Sequence, residues 1–255
     1  MTFFGFLTPA LDFAFGWMLA LGPFWALLIL SFIISVIIVL IYKYTTNQQQ
    51  MKQLKDEMKG FQKQMKELRQ HPEQALGVQK KAMQANMKYM SHSMKATLIT
   101  FLPIIIIFGW MNAHLAFEPI MPGQNFSVGV NFAKGTTGAV ELIAPEGLLI
   151  IGNATKQIES QQALFNLDAK KSGDFLIEFK AGNQSYTKEM IVSNERAYAP
   201  QAQLYKNVPP VTSIVINYKP TKIIKLGFLN LSWLWSYIIF SLVFSMVLRK
   251  IMKIY

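Results

Sequence analysis

The sequence predicts an α-helical membrane protein with three transmembrane helices. A cytoplasmic two-helix coiled-coil hairpin joins the first two, and an extracytoplasmic all-β sandwich is inserted before the third. Three observations carry this reading. Three apolar runs are each long enough to cross a bilayer. Heptad-spaced apolar residues among lysines and glutamines fill the gap between the first two runs. The stretch before the third run, roughly the length of one sandwich domain, changes to the two-residue alternation of strands. Composition agrees: 52% of the 255 residues are hydrophobic and only 15% charged, where an average soluble domain has roughly a quarter charged. Mean hydropathy is +0.26.

Residues 1–23 are apolar and aromatic, with Asp12 as their one charge, and are interrupted by Pro9 and by Gly22-Pro23. They lack the basic start of a cleaved signal peptide and read as an interfacial or re-entrant segment. Residues 24–44 form the first span. In 45–95, Met51, Leu54, Met58, Phe61, Met65 and Leu68 recur at three and four residues, an a/d seam. His71-Pro72-Glu73 interrupts it, since proline ends one helix and suits the first turn of the next. A second stripe follows at Leu76, Met83, Met87, Met90 and Met94, and the two helices return the chain to the membrane as a hairpin. Residues 96–117 are the uncharged second span and 228–248 the third; 249–255 form a basic tail.

Within 118–227, Phe126 to Phe132, Phe175 to Phe179 and Ile214 to Tyr218 alternate apolar and polar residues, and Gly182-Asn183 signals a turn. With 139–144, 148–151, 164–167 and 186–192 this gives about seven short strands, an immunoglobulin-like sandwich. Candidate glycosylation sites fall there at Asn125, Asn153 and Asn183, and a fourth sequon begins at Asn230.

Basic residues orient the chain. Residues 43–95 hold eleven Lys/Arg against four Asp/Glu, and 118–227 hold eleven against nine. The positive-inside rule puts 43–95 and the C-terminus in the cytoplasm, and the N-terminus and 118–227 outside. The expected location is a plasma membrane, crossed several times.

Catalytic chemistry is poorly represented. The absence of cysteine excludes disulfides, thiolate metal sites and cysteine nucleophiles. His71, His92 and His114 are scattered, and Asn153-Ala154 follows Gly152 where a phosphate loop needs Lys-Ser/Thr. The spans lack the buried ionisable residues of intramembrane proteases and proton-coupled carriers. An enzyme, a metal and a cofactor are therefore not expected. The spans do carry hydroxyls: Ser31 and Ser35 share one helix face, as do Thr97 and Thr100, and Ser241 and Ser245. Such hydroxyls bond their own backbone or pack helices; Ser35, Thr97, Thr100, Ser241 and Ser245 could instead line a hydrophilic groove open to the cytoplasm.

The methionines carry a similar pair of readings. Methionine fills irregular cores, yet it also makes adaptable surfaces that accept varied apolar partners. On the second reading Met83, Met87, Met90 and Met94 capture substrate. Lys52, Lys55, Lys59, Lys63, Lys66, Arg69, Lys80 and Lys81 either fix topology and touch anionic lipid or meet ribosomal RNA through its phosphates.

Three stretches, MKQLKDEMKGFQKQMKEL at 51–68, LPIIIIFGWM at 102–111 and LSWLWSYIIFSLVFSMVLRKIMK at 231–253, occur in an order that resembles the archaeal, YidC-like branch of the Oxa/YidC/Alb insertase superfamily. That superfamily is kin to insertase subunits of the eukaryotic endoplasmic reticulum. The resemblance covers 1–118 and 226–255; the sandwich departs from the compact archaeal pattern. It implies a membrane-protein insertase and chaperone with a cytosol-facing hydrophilic groove, working without nucleotide hydrolysis. The implied partners are the lipid bilayer, nascent membrane proteins, the ribosome and further membrane subunits. The groove arginine of bacterial relatives has no counterpart in these spans. Two other classes fit the residues alone: a structural anchor displaying an external binding sandwich, and a small-solute channel subunit lined by the hydroxyls.

Overall fold

The computed structural model describes residues 7–206, 208–227 and 229–254. Residues 1–6, Phe228 and Tyr255, which belong to the expected N-terminal segment, third span and basic tail, lie outside the described residues. The chain divides into two compact units, residues 1–110 with 234–255 and residues 111–233.

In the first unit, α1 (Thr8–Phe15) starts on a proline in its first turn and passes into a 3₁₀ helix, Gly16–Leu21. Gly22, at φ +87°, then turns the chain into Pro23, the start of α2 (Pro23–Thr45); a side chain at that φ would be strained. At 1.5 Å per residue α2 is about 35 Å long, enough to cross a hydrocarbon core of about 30 Å. The hydroxyls of Thr45 and Thr46 donate to the carbonyls of Ile41 and Tyr42, four residues back, and the Tyr42 carbonyl also accepts the Thr46 amide. The Asn47 side chain then accepts from the amides of Gln49 and Gln50 and so caps α3 (Gln48–Glu67).

A short 3₁₀ turn, Leu68–Gln70, leads to α4 (Pro72–Leu115), a single helix of 44 residues. The hairpin arm and second span expected as separate pieces are thus one rod of about 66 Å. Lys95 is followed only by uncharged residues up to Glu118: that boundary changes the surface of the helix, not its backbone. Pro103 lies inside it, where its missing amide leaves the Ile99 carbonyl without its helical donor.

α5 (Trp233–Ile251) completes this unit. Three helices are therefore long and apolar enough to cross a membrane: α2, α4 and α5. Phe24 and Phe32 of α2 meet Phe240 and Phe244 of α5 edge-on, and Phe108 of α4 meets Tyr237 of α5 at 4.6 Å. At one end Val39, Tyr42, Met51, Ala96 and Ile254 form a buried cluster with Tyr89, Leu248 and Met252, and Arg249 lies over the Tyr42 ring at 5.1 Å. The end of α2, the start of α3, the middle of α4 and the end of α5 thus share one core. At its opposite end α4 is tied to the N-terminal segment: the Trp110 indole donates to the Asp12 carboxylate at 2.7 Å, and Phe15 packs edge-on to the same ring.

The second unit is an antiparallel β-sandwich. Its strands are β1 (Asn125–Phe132), β2 (Ala139–Ile143), β3 (Leu148–Ile151), β4 (Thr155–Gln157), β5 (Gln162–Ala169), β6 (Gly173–Ala181), β7 (Gln184–Val192), β8 (Ala202–Leu204) and β9 (Val211–Ile216). One sheet runs β3-β5-β1-β9-β8, the other β4-β2-β6-β7. Val128, Val130, Phe165, Ile214 and Ile216 from the first meet Val140, Leu142, Ile177, Phe179 and Met190 from the second in one core. A hairpin of β10 (Lys222–Leu226) and β11 (Leu229–Ser232) stands apart from both sheets. The third helical span consequently starts at Trp233 and not at 228, because 229–232 pair with β10.

Two turns show why glycine is used. Gly182, at φ +61°, opens the two-residue turn of the β6–β7 hairpin. At Gly147 an added Cβ would lie 2.9 Å from the Phe175 ring.

The strand order explains how a domain can sit between two spans. An immunoglobulin sheet places beside its second strand the strand that precedes it in the chain. Here the corresponding place beside β1 is taken by β9, which comes last. The chain therefore arrives and departs side by side: the Glu118 amide donates to the Lys219 carbonyl at 2.8 Å, and the Thr221 amide to the Ala116 carbonyl at 2.9 Å.

Candidate functional site

The candidate site is α4, whose two faces have opposite character. Ala75, Val78, Ala82, Ala85, Tyr89 and Ala96 follow one another at three and four residues with one seven-residue step; they are half-buried or buried, Ala85 and Ala96 fully. On the other side of the helix Met83, Met87, Met90 and Met94 are 58–63% exposed, with Leu76 before them. At 100° per residue the two stripes lie on roughly opposite faces. The apolar residues that pack on α4 are thus its alanines, valine and tyrosine, and of the two readings of the methionine stripe, core filler or adaptable surface, it is placed on the outside.

The exposed stripe does not stop at Lys95. Leu98, Phe101 and Ile105 continue it at spacings of four, three and four, all exposed. One apolar line therefore runs from Leu76 to Ile105, about 44 Å along the helix. Lys81, Lys88 and Lys95, seven apart, form a separate row roughly a third of a turn round the helix from it.

On α3, Met51 is fully buried, while Leu54, Met58, Phe61 and Met65 are half-buried, as is Leu68 in the turn that follows. Lys52, Lys55, Lys59, Lys63 and Lys66 are exposed, as are Lys80 and Lys81 on α4. Lys59 pairs with Asp56 at 3.8 Å, in the open. The Arg69 side chain lies outside the described residues. Surface pairs of this kind contribute about 1 kcal/mol at most.

The intramembrane hydroxyls are placed as follows. Ser35 is fully buried and reaches the Ser241 carbonyl of α5 at 3.5 Å; Ser31, four residues earlier, donates to Leu27. Thr100 is buried and donates to the Thr97 carbonyl, whereas Thr97 is exposed and donates to Ser93. Ser241 donates to Ile238, and Ser241 and Ser245 are half-buried. The structure thus brings Ser35 and Ser241 together between α2 and α5 and leaves each other bonded hydroxyl on its own helix.

Several residues without a sequence signal also matter. Ser236 is fully buried in α5; the hydroxyl four residues before it, Ser232, belongs to β11 and not to the helix. In the sandwich unit, Arg196 donates to the carbonyls of His114, Leu115 and Phe117 and to the Thr221 hydroxyl at 2.7 Å. Tyr198 donates to the Asn112 carbonyl and accepts from the Ala116 amide. Together they satisfy the last turn of α4. Burial lowers the pKa of Arg196 and raises that of Tyr198. Asn125, Asn153 and Asn183 are exposed.

No curated protein and no solved structure matches the chain. Three apolar helices of spanning length, the first two joined through a basic helical segment, are the arrangement of a multi-pass integral membrane protein. Residues 9–133, from α1 through β1, match the family model of integral membrane proteins described as EMC3/TMCO1-like, which lies in the Oxa1/YidC/Alb3 insertase-related superfamily.

Proposed function

We propose that this chain is a membrane-protein insertase of the archaeal YidC-like kind. Its α3–α4 hairpin acts as a cytoplasmic coiled coil, with the N-terminus outside, the C-terminus inside and the sandwich outside a plasma membrane. The observation that carries the proposal is the unbroken apolar line on α4 from Met83 to Ile105. It offers an apolar segment a continuous partner from the basic, aqueous part of the helix into its uncharged part.

The energetics follow from that geometry. A nascent apolar helix loses roughly 25 cal/mol for each Å² it hides. Methionine side chains adapt to its shape at little cost. The helix then slides toward Leu98, Phe101 and Ile105 without returning to water. Its polar flank is the obstacle, since a charge at mid-bilayer costs about 2.5–3.5 kcal/mol on insertion scales. Water reaching the hydroxyls of Thr97, Ser241 and Ser245, and those of Ser35 and Thr100 once they leave the buried positions they hold here, would shorten the dry path without a fixed charge. The lysines of α3 and the start of α4 meet ribosomal RNA, and further membrane subunits complete the assembly. No nucleotide is hydrolysed.

The test is a photo-crosslinking ladder. Probes at Met83, Met90, Leu98 and Ile105, with a control at Ala82 on the packed face, are challenged with a ribosome-bound membrane protein of increasing chain length. Crosslinks should appear in that order and be absent at Ala82. Equal crosslinking on both faces, or none on the stripe, would refute the reading.

A further inference from the structure

The two sheets of the sandwich differ sharply in charge. β4, β2, β6 and β7 carry Lys156, Glu141, Asp174, Glu178, Lys180, Lys188 and Glu189. The five strands of the other sheet carry one charged residue, Asp168, already paired with Lys170. The outward positions of this second sheet are aliphatic or amide- and hydroxyl-bearing. Leu149, Ile151, Leu164 and Leu204 are exposed. In one row Leu164, Gly129, Val215 and Ala202 lie side by side across four strands. The polar side chains beside that row bond each other, Asn131 to Ser213 and Asn217 to Ser127, each at 2.9 Å. They ask little of a foreign partner.

Depletion of charge is the compositional mark of an interface core, whereas the apolar fraction alone is not. We propose that this face is a self-association surface and that a second copy of the same chain occupies it, sheet against sheet, about a two-fold axis. Charge decides the occupant. A two-fold contact sets each residue against residues of the same patch. The sheet with Asp168 as its one charge, already offset by Lys170, sets no unpaired like charge against its twin. The opposite sheet would set Glu141, Asp174, Glu178 and Glu189 against themselves, with Lys180 alone to offset them.

Size is sufficient. Five strands about 4.8 Å apart and up to eight residues long give a face of roughly 20 by 25 Å. Two such faces cover on the order of 1,000 Å², the lower bound for a specific contact. Copies held in one membrane meet at raised effective concentration, so a contact of this size is enough.

The chain has no cysteine, which makes the test direct on the full-length protein in its membrane. Val215→Cys, treated with a short bifunctional maleimide, should give a covalent homodimer, and Glu178→Cys on the opposite sheet should not. Because no charges meet, the yield should not change between low and high salt. Asn166→Lys on the exposed face should cut the Val215→Cys dimer at least tenfold. Unchanged thermal unfolding of that variant would show that the sandwich still folds; should it not, Leu164→Gln, which adds no charge, should lower the yield less. A monomer at Val215→Cys, an adduct to a different protein in place of the homodimer, or equal crosslinking at Glu178→Cys would each overturn the proposal.

Discussion

Lys188 shows how much one side chain can cost a sandwich. It points into the core from β7, is 1% exposed, and its ammonium donates to the Glu189 carbonyl at 2.7 Å. Burial pushes its pKa down from 10.5 to about 8. The unfolded chain therefore holds this proton more tightly than the folded one. Below pH 8 both states are charged and the folded state bears the full cost of a buried cation. Between pH 8 and 10.5 the folded state sheds the proton first, and stability rises with pH by as much as about 3 kcal/mol. Lys188→Met keeps the length and removes the charge. It should raise the unfolding temperature of the sandwich at pH 7 and flatten the difference between variant and parent above pH 8. Thermal unfolding of both proteins across pH 6–10 measures it. Arg196 is a contrasting case, because its half-buried guanidinium has four partners and replaces donors that a helix end lacks. Neither residue stands out in the sequence: each is one cation among the eleven of the 118–227 stretch, and only long-range pairing separates them from the surface.

Along α4 the question is which stripe packs and which receives. If the methionines are an adaptable surface, replacing Met83, Met87, Met90 and Met94 by leucine should leave helicity and substrate crosslinking near the parent level. Replacement by glutamine should remove the crosslinks while circular dichroism stays unchanged. On the packed face the order reverses: Ala85, 5% exposed, has no room for leucine, and Ala85→Leu should cost about 1–3 kcal/mol through overpacking. Loss of crosslinking with leucine, or a neutral Ala85→Leu, would exchange the roles of the two stripes. The helices and their order were legible because uncharged runs and three-four spacing are local signals. The packed stripe of Ala75, Ala82 and Ala85 was not, since hydrophobicity ranks methionine above alanine while close helix approach favours the smaller side chain. The length of α4 was hidden for a related reason: the shift of composition after Lys95 marks a change of solvent, and the backbone ladder runs through it. In the sandwich, β1, β5, β6, β7 and β9 announced themselves by alternation. β4 and β8 have three residues each and β11 four, too few to show a period, so the break between β11 and α5 was placed too early.

For the whole chain, the place where the sandwich is inserted makes its removal a clean experiment. A β-domain between two spans must return the chain to its starting point, and here β9 lies beside β1 so that it does. The Glu118 amide and Lys219 carbonyl are 2.8 Å apart, and a linker of about two residues closes that gap. Joining Glu118 to Lys219 through Gly-Gly should therefore leave α2, α4 and α5 to insert as before, with the β10–β11 hairpin in place. The excision also removes Arg196 and Tyr198, so the carbonyls of Asn112, His114 and Leu115 lose their donors. At the end of a helix such groups can be hydrated in their place, and the last turn of α4 should fray without unfolding the rest. If the insertase reading holds, crosslinks from Met90 and Leu98 to a nascent membrane protein survive in the shortened chain. If the sandwich is what the spans exist to display, they vanish while the protein remains in the membrane. Carbonate extraction establishes that the shortened chain is still integral, and the same crosslinking ladder then decides between the two outcomes.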